Sequence, residues 1–236
     1  MPHNSPTIVL VHGALTDASV WHGVIAELQK QNFIVHAPSI PMRSLASDVA
    51  HLHSYLTTLD GPLVVVGHSY GGSIISDPAA LTPSVGALGF VAAFIQDSGE
   101  TAGELNYRFA GSRLVPETTI VRETPGGSDM YLRPEFFREI YAADVDPVHA
   151  AVMAASQHPI DPTALGESFS GEATWRTLPS SALVASPDIS IPTEAQYFMA
   201  ERAGSIVVEI ESSHAVPVAH PVETAQFVAS LANSDR

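Results

Sequence analysis

The sequence predicts an α/β fold: a mostly parallel β-sheet with helices on both faces and a small, mostly helical insertion. Three observations carry this. Short apolar runs, most of them β-branched and without polar alternation, recur in the first 95 residues and again after residue 176, as in strands buried on both faces. Segments with helical apolar spacing separate them, so the connections are crossovers and the strands parallel. Between residues 96 and 176 this alternation stops.

The first strand is Thr7-Ile8-Val9-Leu10-Val11, followed by a loop with His12-Gly13 and a helix through Trp21, Val24, Ile25 and Leu28. Phe33 to His36 reads as a second strand, and Ser44 to Leu59 as a helix through Leu45, Val49, Leu52 and Leu56. Leu63-Val64-Val65-Val66 is a third, buried strand that runs into Gly67-His68-Ser69-Tyr70-Gly71-Gly72 and a helix limited by Pro78. Leu88 to Phe94 is a fourth. Residues 96–176 hold Pro116, Pro125, Gly126, Gly127 and Pro134, with helical segments at Pro134–Ala142 and Pro147–Ser156. They read as a lid inserted into a core made of residues 1–95 and 177–236, since insertions of this length are more often functional than not. Strands resume at Ser181–Ala185. Thr193 with Gln196 three residues on reads as the capping box of the next helix, which Gly204 ends. Ile206–Ile210 is the last strand, Ser212-Ser213-His214 a loop, and Pro221 to Leu231 the closing helix.

Composition narrows the function. The formal charge of −15, from 25 acidic and 10 basic residues, repels phosphate backbones and anionic membranes, so neither nucleic acid nor a membrane is an expected partner. The absence of cysteine excludes disulfides, thiolate catalysis and cysteine-held metals. Met1-Pro2-His3-Asn4-Ser5-Pro6 lacks a basic segment followed by an apolar run, and no stretch approaches the roughly 20 apolar residues of a membrane span. The expectation is a cytoplasmic protein. His51 and His53 lie two apart on one helix, face different directions and cannot share a metal ion. No cofactor is implied.

Gly67-His68-Ser69-Tyr70-Gly71 matches G-x-S-x-G in the setting that motif needs, a buried strand before and a helix after. A serine there sits on a strained strand-to-helix turn, and glycine neighbours let the chain pass closely. A hydroxyl is a poor nucleophile near neutral pH and needs a base, which in turn needs an orienting carboxylate. The histidines after Ser69 are His149 and His158, both in the insertion, His214, and His220, which precedes Pro221 at a helix start. His214 follows the last strand at the sheet edge where Ser69 emerges, because parallel strands point the same way. For the acid, Asp188 follows Ser181–Ala185 at that edge, with Pro187 and Pro192 to stiffen its loop. Asp97 is the runner-up; Asp161 and Glu194 are weaker. An oxyanion hole needs two N–H donors. Tyr70, next after the serine, supplies one, and the loop after the first strand the other, with Ala14 preferred and Leu15 as fallback. Gly13 would leave room for an acyl group, and the His12 ring reads as structural.

Val9-Leu10-Val11-His12-Gly13-Ala14, Gly67-His68-Ser69-Tyr70-Gly71-Gly72, Phe90-Val91-Ala92-Ala93-Phe94 and Ser213-His214 together resemble the small α/β-hydrolases, in particular the branch of plant methylesterases and hydroxynitrile lyases and their bacterial esterase relatives. The resemblance covers nearly the whole chain and is loosest around Phe136–Gln157. It implies an α/β-hydrolase fold. It also implies that the acid lies in a short loop before an Ile-Pro pair, which Asp188-Ile189-Ser190-Ile191-Pro192 fits, and that the oxyanion donors map onto Ala14 and Tyr70. The lyases of the branch carry a lysine directly after the catalytic histidine and tend to have threonine in place of the glycine of the His-Gly pair. Here those positions are Ala215 and Gly13, and the one lysine, Lys30, lies too early in the chain. Both departures imply hydrolysis. Haloalkane dehalogenases and epoxide hydrolases of this fold use an aspartate at the elbow, against which Ser69 argues.

The expected function is therefore a carboxylesterase-like serine hydrolase with Ser69, His214 and Asp188 as its triad. Its substrate would be a small hydrophobic or aromatic ester held in a pocket supplied by Tyr131, Phe136, Phe137 and Met153. The alternatives are a cofactor-free oxygenase or other non-hydrolytic enzyme on the same frame, and a ligand receptor that retains the triad. A homodimer is expected by family analogy alone.

Overall fold

In the computed structural model, residues 5–233 are described. Met1–Asn4, on which the expectation of no leader partly rests, lie outside them. Six strands form one parallel sheet: β1 (Thr7–Val11), β2 (Val35–His36), β3 (Leu63–His68), β4 (Val85–Val91), β7 (Ser180–Ser186) and β8 (Ile206–Glu211), in the order β2-β1-β3-β4-β7-β8. Helices α1 (His22–Lys30) and α9 (Pro221–Asn233) cover one face. Helices α2 (Leu45–Leu56), α3 (Gly71–Ser76) and α7 (Thr193–Ala203) cover the other. The period of two along each strand divides the core. Ile8, Leu10, Val64 and Val66 face α1 and α9, whereas Val9, Val11, Leu63 and Val65 face α2 and α3. This two-sided burial is why the strands read as unbroken apolar runs. The edge strand β8 departs from it: Ile206, Val207 and Val208 are exposed.

Two predicted strands differ in extent. The second is only Val35–His36. The fourth begins earlier, at Val85, and ends at Val91, because Ala92 takes a positive φ of 42° and turns the chain off the sheet.

Residues 96–176 carry α4 (Ala102–Tyr107), α5 (Pro134–Tyr141), α6 (Pro147–Ala155) and short 3₁₀ turns at Pro162–Gly166 and Thr174–Arg176. They also carry an antiparallel pair, β5 (Thr119–Thr124) and β6 (Gly127–Leu132), in an insertion that the sequence predicts to be mostly helical. Its signal was present, since Pro125-Gly126 is turn chemistry between two segments containing β-formers. The pair is held to the core by Arg43, whose guanidinium reaches Asp129 Oδ1 at 2.8 Å. Among the described residues, no helix is long and apolar enough to cross a membrane. A four-residue helix, α8 (Val216–Ala219), follows β8.

The site's position follows from the strand order. The chain leaves β1 toward β2 on one side, while β3 pairs on the other. The loop after β1 and the turn after β3 therefore meet at a topological switch point outside the carboxyl ends of the strands.

Candidate active site

Ser69 sits on the turn from β3 to α3 with φ at 54°, in the left-handed region that a non-glycine residue adopts only when its surroundings force it. Those surroundings are visible. The Ser69 carbonyl accepts the N–H of Gly72 (3.0 Å) and of Phe94 (3.2 Å), and its own N–H donates to Val91 (3.2 Å). A Cβ on Gly67 would lie 2.6 Å from the backbone of Gly71, so the turn closes this tightly only with glycine. A Cβ on Gly13 would lie 2.5 Å from the Ser69 Cβ. The space the sequence reading reserved for an acyl group is thus taken by the serine itself.

Ser69, His214 and Asp188 form a continuous hydrogen-bonded array. The carboxylate can only accept, so His214 Nδ1–H donates to Asp188 Oδ2 (2.7 Å) and Nε2 is left to accept from the Ser69 hydroxyl (2.9 Å). All three side chains are buried. Asp188 is anchored locally. Its Oδ1 accepts the N–H of Ser190 (2.7 Å) and Ile191 (3.1 Å), an Asx turn inside the loop before Pro192. The other carboxylates considered lie elsewhere. Asp97 pairs with Arg176, Asp161 caps the 3₁₀ turn at Pro162, and Glu194 is in the first turn of α7. The other histidines are also accounted for. His149 is exposed on α6, His158 donates to the Ile40 carbonyl (3.1 Å), and His220 pairs with Asp144 (3.3 Å).

The capping box expected at the head of α7 does not form. Pro192 is the N-cap, and Thr193 and Gln196 turn to the acid loop instead. Thr193 Oγ1 donates to the Ala185 carbonyl (2.8 Å) and accepts from Asp188 N–H (3.2 Å), and Gln196 Nε2 donates to Asp188 Oδ2 (2.8 Å). The predicted stop at Gly204 is present, with φ at 65°.

His68, Tyr141 and Asp144, to which the sequence assigns no part, also shape the site, together with His12. His68 is fully buried, and its Nε2–H donates to the His214 carbonyl (2.9 Å). Burial, reinforced by the neighbouring His214, drives its pKa well below the ordinary histidine range, so it stays neutral. Tyr141, at the end of α5, sets its ring edge-on to His214 with centres 4.8 Å apart, and its carbonyl accepts the Ala215 N–H (2.9 Å). Asp144 accepts from the N–H of Ser213 (3.0 Å) and the hydroxyl of Ser212 (2.9 Å), pinning the loop before His214. His12 is structural, as the sequence suggested. Its Nδ1–H donates to the Gly13 carbonyl and its Nε2 accepts from Ile40 N–H, both at 2.9 Å. In a trans peptide the N–H points opposite to the C=O. Fixing the Gly13 carbonyl therefore aims the Ala14 N–H the other way. Among the described residues, neither Ala14 N–H nor Tyr70 N–H has a protein acceptor. The Tyr70 ring is held by its hydroxyl, which donates to buried Asp48 (3.1 Å).

A cavity of about 460 Å³ opens onto Ser69, with Ala14, Leu15 and Tyr70 in its wall. Most of the remaining wall comes from the insertion: Asn106 and Tyr107 of α4, Leu114 to Pro116, Thr119 and Val121 of β5, Met130 of β6, and Leu165. Among the described residues, no charged side chain lines it. The four residues expected to form this pocket do not. Phe136, Phe137 and Met153 pack α5 and α6 against Leu15 and Ala215. Tyr131 is one residue out of register with Met130, so the strand period sends it to the opposite face, where Arg122 stacks on its ring.

Residues 8–227 match the model of the alpha/beta hydrolase family. A pyrethroid hydrolase of Sphingobium wenxiniae is 25% identical over 251 aligned residues, covering 96% of this chain and 88% of the relative. The crystal structure of polyneuridine aldehyde esterase superposes with a TM-score of 0.81 at 19% identity, over 96% of this chain and 98% of that one. A pyrethroid hydrolase crystal structure gives 0.81 at 21% identity, over 98% of both chains. At these identities the likeness to the two structures is one of fold.

Proposed function

The chain belongs to the alpha/beta hydrolase family, and within it we propose a serine carboxylesterase that cleaves a small, uncharged, hydrophobic or aromatic ester through an acyl-enzyme on Ser69. The observation that carries this reading is the unbroken relay from Ser69 Oγ through His214 to Asp188 at the wall of an apolar cavity.

In this reading Ser69 Oγ attacks the ester carbonyl while His214 Nε2 takes its proton. Asp188 keeps Nδ1 protonated and stabilises the imidazolium without taking the proton. The N–H groups of Ala14 and Tyr70 receive the developing oxyanion, each with no competing protein acceptor. His214 then protonates the leaving alcohol, and water repeats the sequence on the acyl-enzyme. The cavity chemistry supports an uncharged substrate. A free carboxylate or phosphate would enter a chain of net charge −15 and find no cation in the wall. The names of the relatives, a pyrethroid hydrolase and an aldehyde esterase, fit an ester of this kind.

The test is a panel of p-nitrophenyl esters with the wild type and Ser69→Ala, together with a serine-directed phosphonate. The wild type should turn over apolar esters and take the label on Ser69. The variant should lose roughly 10⁵- to 10⁶-fold in kcat. Oxygen consumption that survives Ser69→Ala would point to a non-hydrolytic enzyme on the same frame. Tight binding without turnover would point to a receptor.

A further inference from the structure

Gln196 is buried in the first turn of α7, and its amide is used on every side. Oε1 accepts the N–H of Ala185 at the end of β7 (3.0 Å). Nε2 gives one hydrogen to the Ile191 carbonyl (2.8 Å) and one to Asp188 Oδ2 (2.8 Å). The amide cannot be turned over. Ala185 N–H can only donate and so must face the oxygen, and the Ile191 carbonyl can only accept and so must face the nitrogen. The donor aimed at Asp188 is therefore fixed by two backbone groups that belong to neither residue.

From this we infer that Gln196 is a positioning residue of the reaction, holding the Asp188 carboxylate so that Oδ2 faces His214. The inference rests on the esterase reading, because it gives the amide its part in the Ser69–His214–Asp188 relay. With Oδ1 held by Ser190 and Ile191, the Gln196 amide is the second anchor on the oxygen that receives His214 Nδ1–H. It does two things there. It blocks rotation of the carboxyl group away from the imidazole. It also draws on the charge of Oδ2, which favours the ionised carboxylate and keeps the shared proton on His214 as the imidazolium forms. Thr193 steadies the same acid through its backbone N–H, so α7 supports both the chain and the side chain of Asp188. Gln196 does not line the cavity, so its influence on turnover passes through Asp188 and not through substrate contact.

The titratable groups facing the Asp188–His214 pair are His68 from the elbow, its ring centre 5.0 Å from that of His214, and Tyr141 from α5. Burial keeps both neutral. Asp144 holds the preceding Ser213. The wild type presents a neutral amide to Asp188, and substitution at Gln196 changes that without touching any of these groups.

The experiment compares wild type, Gln196→Met and Gln196→Glu as full-length proteins. Phosphonate labelling, kcat and KM on a p-nitrophenyl ester, the pH profile of kcat/KM, and Tm are measured. The methionine substitution keeps the length and removes the donor. It should lower kcat about tenfold to hundredfold with KM within about twofold, the usual cost of losing an outer support of a catalytic group. The Gln196→Glu protein keeps an acceptor for Ala185 and sets a second carboxyl against Asp188 Oδ2. Two buried carboxyls this close cannot both ionise, so the new carboxyl holds a proton and donates it to Oδ2 in place of the amide. Below its own ionisation kcat should therefore stay close to wild type, rescuing the loss in Gln196→Met. As pH rises and that proton is lost, the donor becomes a second charge, and kcat/KM should fall along a basic limb that wild type lacks. If Gln196→Met fails to fold, the presence of this limb decides alone. A Gln196→Glu profile of wild-type shape overturns the inference, as does an unchanged kcat in a folded Gln196→Met protein. An amide that is only a structural brace would lower Tm in both and leave the profile with its wild-type shape. Wild type that resists the phosphonate overturns the esterase reading itself, whereas wild type that labels, beside variants that behave like it, overturns only the role of Gln196.

Discussion

The carboxyl edge of the sheet and the insertion at residues 96–176 meet at Ser69, yet they are built on opposite principles. At the sheet edge, each residue of the proposed relay is fixed by hydrogen bonds that involve backbone groups. Ser69 is locked by three backbone hydrogen bonds in a positive-φ turn, Asp188 by an Asx turn, and His214 by a loop pinned at Ser213 and at its own carbonyl. The insertion is assembled from short helices and a two-stranded pair, with half-exposed residues such as Tyr107 and Val121 in the cavity wall. On the proposed esterase reading, the difference assigns chemistry and recognition to separate parts: the edge would supply the reactive group, and the insertion would select what reaches it. Substitutions at the edge should therefore change kcat, and substitutions in the insertion should change KM.

The largest effect expected on this view is at the edge. Asp188→Asn keeps the shape and the N–H bonds from Ser190 and Ile191, but it no longer enforces protonation of His214 Nδ1. We expect kcat to fall by about 10⁴, with KM and the affinity for a non-cleavable ester analogue unchanged. Stopped-flow kinetics with calorimetric binding of the analogue would check it. A parallel loss of affinity would break the separation of the two regions.

The same division explains what could be read in the sequence. Ser69, His214 and Asp188 were legible because each follows the carboxyl end of a strand, and parallel strands bring those ends together whatever else the chain does. Ala14 was legible as the loop of the first strand. The cavity was not. Residue type suggested Phe136 and Phe137, but whether an aromatic residue faces a pocket or a neighbouring helix depends on how the insertion folds back, and no local period encodes that. Hairpin register decided between Met130 and Tyr131 in the same way. At Thr193 and Gln196 a real local signal was overridden by tertiary structure. A capping box offers two modest hydrogen bonds at a helix end, whereas here the same side chains satisfy the end of β7 and a buried carboxylate.

The two regions are joined at His12, which allows their coupling to be measured. Its Nε2 accepts from Ile40 N–H, the Ile40 carbonyl accepts from His158 of the insertion, and the two rings meet edge-on at 5.9 Å. Burial lowers the His12 pKa from 6.5 to about 4. Between these values the unfolded chain binds a proton that the folded chain does not, so stability rises with pH across this window. The contribution is complete above pH 6.5, is lost as pH falls, and levels off near pH 4. A shift of this size corresponds to about 3 kcal/mol. Urea titrations from pH 7 to pH 4 should show this slope, added to a slope of the same sign from buried His68, and His12→Asn should remove its share. An equal slope in the variant would mean that the junction at His12 does not titrate with folding.

The smallest effect expected belongs to the insertion, and it sharpens the comparison most. Val121 pairs with Met130 across the hairpin, and both face the cavity, as does Thr119 two residues earlier on the same strand. Val121 is also 49% exposed, so a larger side chain there can lean outward without disturbing packing. Val121→Trp should leave Tm unchanged and alter kcat for an acetyl ester by less than about threefold. For an octanoyl ester it should raise KM about tenfold, a selectivity within the roughly 1–3 kcal/mol that a change of pocket shape commands. Should kcat on the short ester fall instead, Val121 would be acting on Ser69 through Leu15 and Ala14, and the wall of the cavity would belong to the reactive edge.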